Sequence, residues 1–236
     1  MAKQTPQEKF IEMTTAPVER LIGRLAVPAI ISMLITTIYN MADTFFIGMT
    51  DDPYKIAASS VAFVLVFAMS SIANLFGVGG GSLISRLLGE KKDRDAASVS
   101  SFSFWCTLMV SLLYSVTVFA FTEPILTFLG VTDNTMSFAK DYVLYVVVLG
   151  VIPANLSLTM SHLLRSEGYA THASAGLAAG GILNIILDPI FMFVILEPGR
   201  EVAGAAMATL LSNCVVLVYF IVIYFVIRKK SVISLD

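Results

Sequence analysis

Charge is scarce in this 236-residue chain. Asp, Glu, Lys and Arg together make up 14% of it, where an ordinary soluble domain carries about a quarter. With 57% hydrophobic residues, that deficit excludes a water-soluble domain and implies an integral membrane protein. Cysteine and histidine are nearly missing, with two of each. Cys106 and Cys214 lie inside apolar segments, far from any Cys-x-x-Cys or His-rich spacing. They read as small core residues and give no sign of a disulfide framework or zinc site. His162 and His172 flank the loop after the fourth apolar segment and have no partners at metal-ligand spacing, so both read as solvated loop positions. The glycines at 77–82 precede no Lys-Ser/Thr pair. That argues against a phosphate loop and direct ATP coupling, and for close helix packing, as does the pair Gly176 and Gly180. The first 20 residues hold no uninterrupted apolar run, so no cleavable signal peptide is expected. The charge run GEKKDRD at 89–95 is short and mixed in sign, a solvated loop and not a nucleic-acid surface.

What the chain does have is six long apolar segments. They run from about Leu25 to Met49, Ile56 to Leu83 (ending in the glycine cluster), Ser98 to Phe121, Ala139 to Ser161, 173 to 196 and Val202 to Ile227. About 20 apolar residues suffice to cross the hydrocarbon core, so the expected fold is all-α, a six-helix transmembrane bundle over 25–227. It is flanked by an N-terminal segment, 1–24, and a tail, 228–236. Of the 15 Lys and Arg, only Lys55, Lys140 and Arg200 fall on one side. That bias places both termini in the cytoplasm of a plasma-membrane protein.

The fifth segment, ASAGLAAGGILNIILDPIFMFVIL, is interrupted by Asn184 and Asp188, with Pro189 directly after the carboxylate. A carboxylate at the centre of a bilayer costs at least about 2.5–3.5 kcal/mol. Asn184 and Asp188, four residues apart, share a helix face, and Pro189 frees the carbonyl of Ile185 toward the same region. A rise of ~1.5 Å per residue puts Asp188 about 12 Å, Thr209 about 10 Å and Asp43 about 9 Å below one membrane surface. Four oxygen-bearing side chains thus occupy one layer, with Tyr39 and Asn40 as neighbours. Hard cations favour such oxygen ligands, and low dielectric favours the neutral form of a carboxyl group, so the layer suits Na⁺ or H⁺.

The runs PAIISMLITTIYNMADTFFIG (28–48), LLRSEG (163–168), NIILDP (184–189) and GAAMAT (204–209) resemble, in this order, motifs of multidrug and toxic compound extrusion (MATE) transporters. The resemblance implies a coupling-ion site for Na⁺ or H⁺ at Asp43, Asn184, Asp188 and Thr209. It also implies bending of the first helix at Pro28, with Pro189 as a second hinge. The implied activity is antiport: cation entry drives export of small amphipathic, mostly cationic compounds, with no enzymatic step and no bound cofactor. Family members have twelve helices in two lobes, and six are found here, matching the first lobe. A second six-helix lobe, from the same gene product or a second copy, is therefore an expected partner, together with membrane lipid. Two other readings compete. An intramembrane aspartyl protease would use paired carboxylates, but Tyr-Asp and Gly-x-Gly-Asp motifs are missing. A lipid-linked oligosaccharide flippase would need mid-membrane cations for a pyrophosphate, and no Lys or Arg sits there.

Overall fold

The computed structural model describes residues 17–228 and 231–234. The expectations for residues 1–16, including Lys3 and Lys9, and for Lys229 and Lys230 lie outside the described residues. All regular structure described is helical: α1 (Val18–Gly48), α2 (Pro53–Gly89), α3 (Asp93–Ala120), α4 (Thr122–Phe128), α5 (Asp133–Tyr142), α6 (Val151–Ser166), α7 (Ala170–Ile190) and α8 (Glu201–Ile227). Five helices are long and apolar enough to cross a bilayer, and α5 with α6 forms a bent sixth crossing. The expected membrane bundle is present.

Three expectations need correction. The glycine cluster does not end the second helix, because α2 runs on to Gly89. Away from water no solvent competes for backbone hydrogen bonds, so glycine is far less disruptive there than in an exposed helix. The fourth crossing is not one helix from Ala139 to Ser161. It begins at Asp133, widens into a π-helical stretch at Val143–Leu149 and turns by 46° at Gly150. A Cβ on Gly150 would stand 2.3 Å from the carbonyl oxygen of Val146, and Pro153 supplies no N–H to continue the ladder. Finally, His162 and His172 sit within α6 and α7 and not in a loop, and the His162 ring nitrogen is 3.2 Å from Asn74 Oδ1. The short helix α4 was not foreseen.

Packing follows membrane chemistry. Lipid is as apolar as leucine, so helices gain little by hiding large side chains and associate instead through small and hydroxylic residues. α3 buries Ser100, Ser103, Thr107, Ser111 and Ser115, while Phe102, Trp105, Met109 and Leu113 face outward. Thr107 meets Thr159 at 3.2 Å, and Ser111 accepts from Asn155 Nδ2 at 2.9 Å.

Along the bundle axis the interior has three layers. One apolar cluster, with Ile47, Ala58, Val143, Met192 and Val202, fills the end remote from the described termini. A second, with Ile84, Leu163, Phe220, Tyr224 and Ile233, fills the terminal end. Polar residues of α1, α2, α6, α7 and α8 lie between them. Lys55 pins the remote end, pairing with Glu201 at 2.8 Å, with both side chains largely buried. At the terminal end Gly168, at φ +80°, closes α6, with Tyr169 N–H donating to the Leu164 carbonyl at 2.9 Å. Glu167 beside it accepts from the backbone N–H groups of Val232 and Ile233 at 2.6 and 2.9 Å, tying the segment after α8 to the bundle.

α8 touches the π-helical turn that follows α7, Phe191–Ile195, through backbone. A Cβ on Gly204 would lie 2.9 Å from Met192 Cα and from Phe191 O. Gly204→Ala therefore forces the helices apart and is expected to destabilise the fold by about 1–3 kcal/mol. Gly79→Ala meets nothing within 4 Å and gains up to about 1 kcal/mol of helix propensity. Unfolding midpoints in detergent check the contrast: equal midpoints for the two variants contradict it.

Candidate functional site

The middle layer holds the four residues expected from the sequence. α7 buries Asn184 and Asp188 almost completely, at 2% and 0% exposure, because that face turns toward α8 and α1. Asn184 Nδ2 donates to Asp188 Oδ1 at 3.1 Å and to Thr209 Oγ1 of α8 at 3.2 Å. The depth count thus placed Thr209 correctly against the α7 pair. Asp43 of α1 is half-buried and accepts from Tyr142 OH at 3.3 Å. Asp43, Asn184 and Thr209 line one cavity of about 610 Å³, and Asp188 lies behind Asn184, off the cavity wall. Tyr39 and Asn40 line the same cavity.

Hydrogen bonds leave part of this cluster unused. Asp43 Oδ1, Asn184 Oδ1 and Asp188 Oδ2 are buried and have no hydrogen-bond partner. No hydrogen bond joins the two carboxyl groups among the described residues, and each has its own donor, Tyr142 or Asn184. Three buried oxygens on three residues, two of them carboxylic, are a strongly electronegative set with nothing positive beside them. Unpartnered buried oxygens are rare in folded proteins, because each forfeits its solvation.

Both expected hinges lie inside helices. α1 continues without a break through Pro28. Pro189 stands two residues before α7 gives way to a π-helical turn, Phe191–Ile195, consistent with the hydrogen-bond donor that proline lacks. Sequence reasoning missed Tyr142. Counting from Ala139 placed it near the membrane surface, whereas a helix that starts at Asp133 carries it well inside. The available signal was a tyrosine at the head of an apolar run.

A family model described as MatE matches residues 28–190. The chain belongs to the MatE family. Multidrug export protein MepA of Staphylococcus saprophyticus is 36% identical over 212 residues, covering 89% of this chain and 46% of the relative. The Staphylococcus haemolyticus protein of the same name is 31% identical over 229 residues, covering 97% and 49%. A solved outward-facing multidrug resistance MATE family transporter of the MOP superfamily superposes with a TM-score of 0.87 at 26% identity. It covers 100% of this chain and 50% of its own. The chain spans about half the length of the curated relatives it matches. The MatE match includes Asp43, Asn184 and Asp188, and Thr209 lies beyond its last residue.

Asn184 is the joint of the cluster. Asn184→Ala leaves Asp188 without a donor and is expected to cost about 1–3 kcal/mol. On that background Asp188→Leu removes the stranded carboxyl group, so its further cost should be smaller than in the native chain. A double-mutant cycle of unfolding free energies in detergent measures the coupling. Simple additivity contradicts the joint.

Proposed function

We propose that this chain is one lobe of a cation-coupled antiporter that exports small amphipathic, mostly cationic compounds across the plasma membrane, with both termini in the cytoplasm. The names of the staphylococcal relatives support multidrug export. The observation that carries the coupling is the set of unpartnered oxygens on Asp43, Asn184 and Asp188. Such a set is relieved by one positive species: a proton on a carboxyl group, or Na⁺ drawing on these oxygens and on Thr209. Separate donors for the two carboxyl groups weigh against an aspartyl-protease dyad, in which the pair shares a proton.

Transport requires a second six-helix lobe. α1 and α2 hardly touch one another, and the cavity lies between them and α6–α8. On the α2 side Phe63, Phe67 and Met69 line it, an adaptable wall for varied apolar shapes. A second bundle rocking against this one supplies alternating access.

Asp188→Asn keeps the shape of the side chain and removes its charge. In vesicles containing the two-lobe transporter, dye efflux driven by an imposed Na⁺ or pH gradient should collapse, while insertion and abundance are retained. Efflux at the native rate by this variant, at matched abundance, would sink the assignment. The gradient that drives the native protein identifies the ion.

Pro28 removes one backbone hydrogen bond from α1 some ten residues before Asp43's turn, a point where the helix can bend. A ligand shifts such an equilibrium only through different affinities for its two states. The distance between spin labels near residues 32 and 47, at the exposed Met33 and Met49, should change with Na⁺ or pH in the native protein and less in Pro28→Ala. An equal response in both removes Pro28 from the mechanism.

A further inference from the structure

Hydroxyl groups in these helices have a habitual partner, the carbonyl three or four residues earlier. Thr36, Ser70, Thr107 and Ser161 all bond this way, at 2.7–3.0 Å. Ser157 of α6 and Ser212 of α8 do not. They are 2% and 3% exposed, their hydroxyls have no hydrogen-bond partner, and both residues line the cavity. Ser174 is also unpartnered but lies off the cavity. A buried hydroxyl that forgoes an available backbone carbonyl is costly and is free to bind something else.

Their placement is systematic. Thr209, Ser212, Asn213 and Val216 line the cavity along one face of α8, so Ser212 stands one turn, about 4.5 Å, from Thr209 toward the terminal end. α6, which carries Ser157, packs directly on α8. Asn155, close by, has its amide nitrogen committed to Ser111. Farther along α8, Val216 stands against Gly180, and both line the cavity. The two free hydroxyls thus share the cavity wall with Asp43, Asn184 and Thr209, and that of Ser212 lies on the terminal side of Thr209.

We propose that Ser157 and Ser212, with the Asn213 carboxamide beside Ser212, form a second cation station that takes a monovalent metal ion such as Na⁺. The inference rests on the cation-coupled reading above and adds a place where the ion pauses outside the carboxyl cluster. Hydroxyl and amide oxygens are hard donors suited to such an ion. They carry no charge, so the station holds the ion weakly and does not trap it. They are also not bases at neutral pH, so the station serves a metal ion and not a proton. Because Ser212 stands one turn past Thr209 toward the terminal end, it is the natural way-point for an ion leaving the cluster in that direction.

Equilibrium binding of radiolabelled sodium to the full 236-residue chain in lipid nanodiscs, at constant ionic strength with choline, tests this. The native chain should show two saturable classes, the second at least tenfold weaker. Replacing both serines, Ser157→Ala with Ser212→Ala, should abolish the weaker class and leave the tighter one within twofold. The threonine pair, Ser157→Thr with Ser212→Thr, keeps both hydroxyls and should retain both classes, which controls for folding. Asp188→Asn should remove only the tighter class. A single class in the native chain, no bound sodium, or a weaker class that survives the alanine pair overturns the station. A tighter class that survives Asp188→Asn overturns the carboxyl-cluster reading instead, so the two failures are distinguishable.

Discussion

The approach of α8, at Gly204, to the π-helical turn after α7 is the constraint on which the site depends. With only a hydrogen on that residue, the α8 backbone rests against Phe191 and Met192, and Thr209, a little over one turn later, comes within 3.2 Å of Asn184. Nothing hydrophobic could set this spacing in lipid, where burying a large side chain gains little. A close backbone contact can, and it leaves the polar layer no freedom to spread. The bridge from Asp188 through Asn184 to Thr209 is therefore a consequence of helix packing and not its cause.

Much of this was legible in the sequence, because membrane depth turns position along the chain into position in space. Two carboxylates and a threonine at similar depth had to share a layer, and the structure links Asn184 to both Asp188 and Thr209. The same arithmetic failed for Tyr142, since an apolar run marks where a helix is greasy and not where it starts. The polar first turns of α5, beginning at Asp133, were invisible to it. Lys55 was counted only as a charge on one side of the membrane. Its partner Glu201 is 146 residues away, and no local pattern announces a pairing of that range.

The glycine cluster was misread for a related reason. Glycine and proline end helices in water because solvent takes over the exposed backbone groups, and here there is no such competitor. α2 therefore continues through Gly77, Gly79, Gly80 and Gly81, and α1 through Pro28. The break at Gly150 coincides with a π-helical stretch and a nearby proline. It aims Tyr142 at Asp43 from one arm while the other arm carries Asn155 and Ser157 to the cavity.

The inverted face of α3 has a consequence for handling the protein. Its inward stripe of serine and threonine offers water nothing to expel, and its outward Phe102, Trp105, Met109 and Leu113 offer water much. In an aqueous medium the hydrophobic effect would thus pull this helix around its own axis, turning the lipid face inward and breaking contacts such as Thr107 with Thr159. The surrounding hydrocarbon is in this sense a structural component of the bundle. A detergent too sparse to cover that stripe would remove it as surely as a chelator strips a zinc finger.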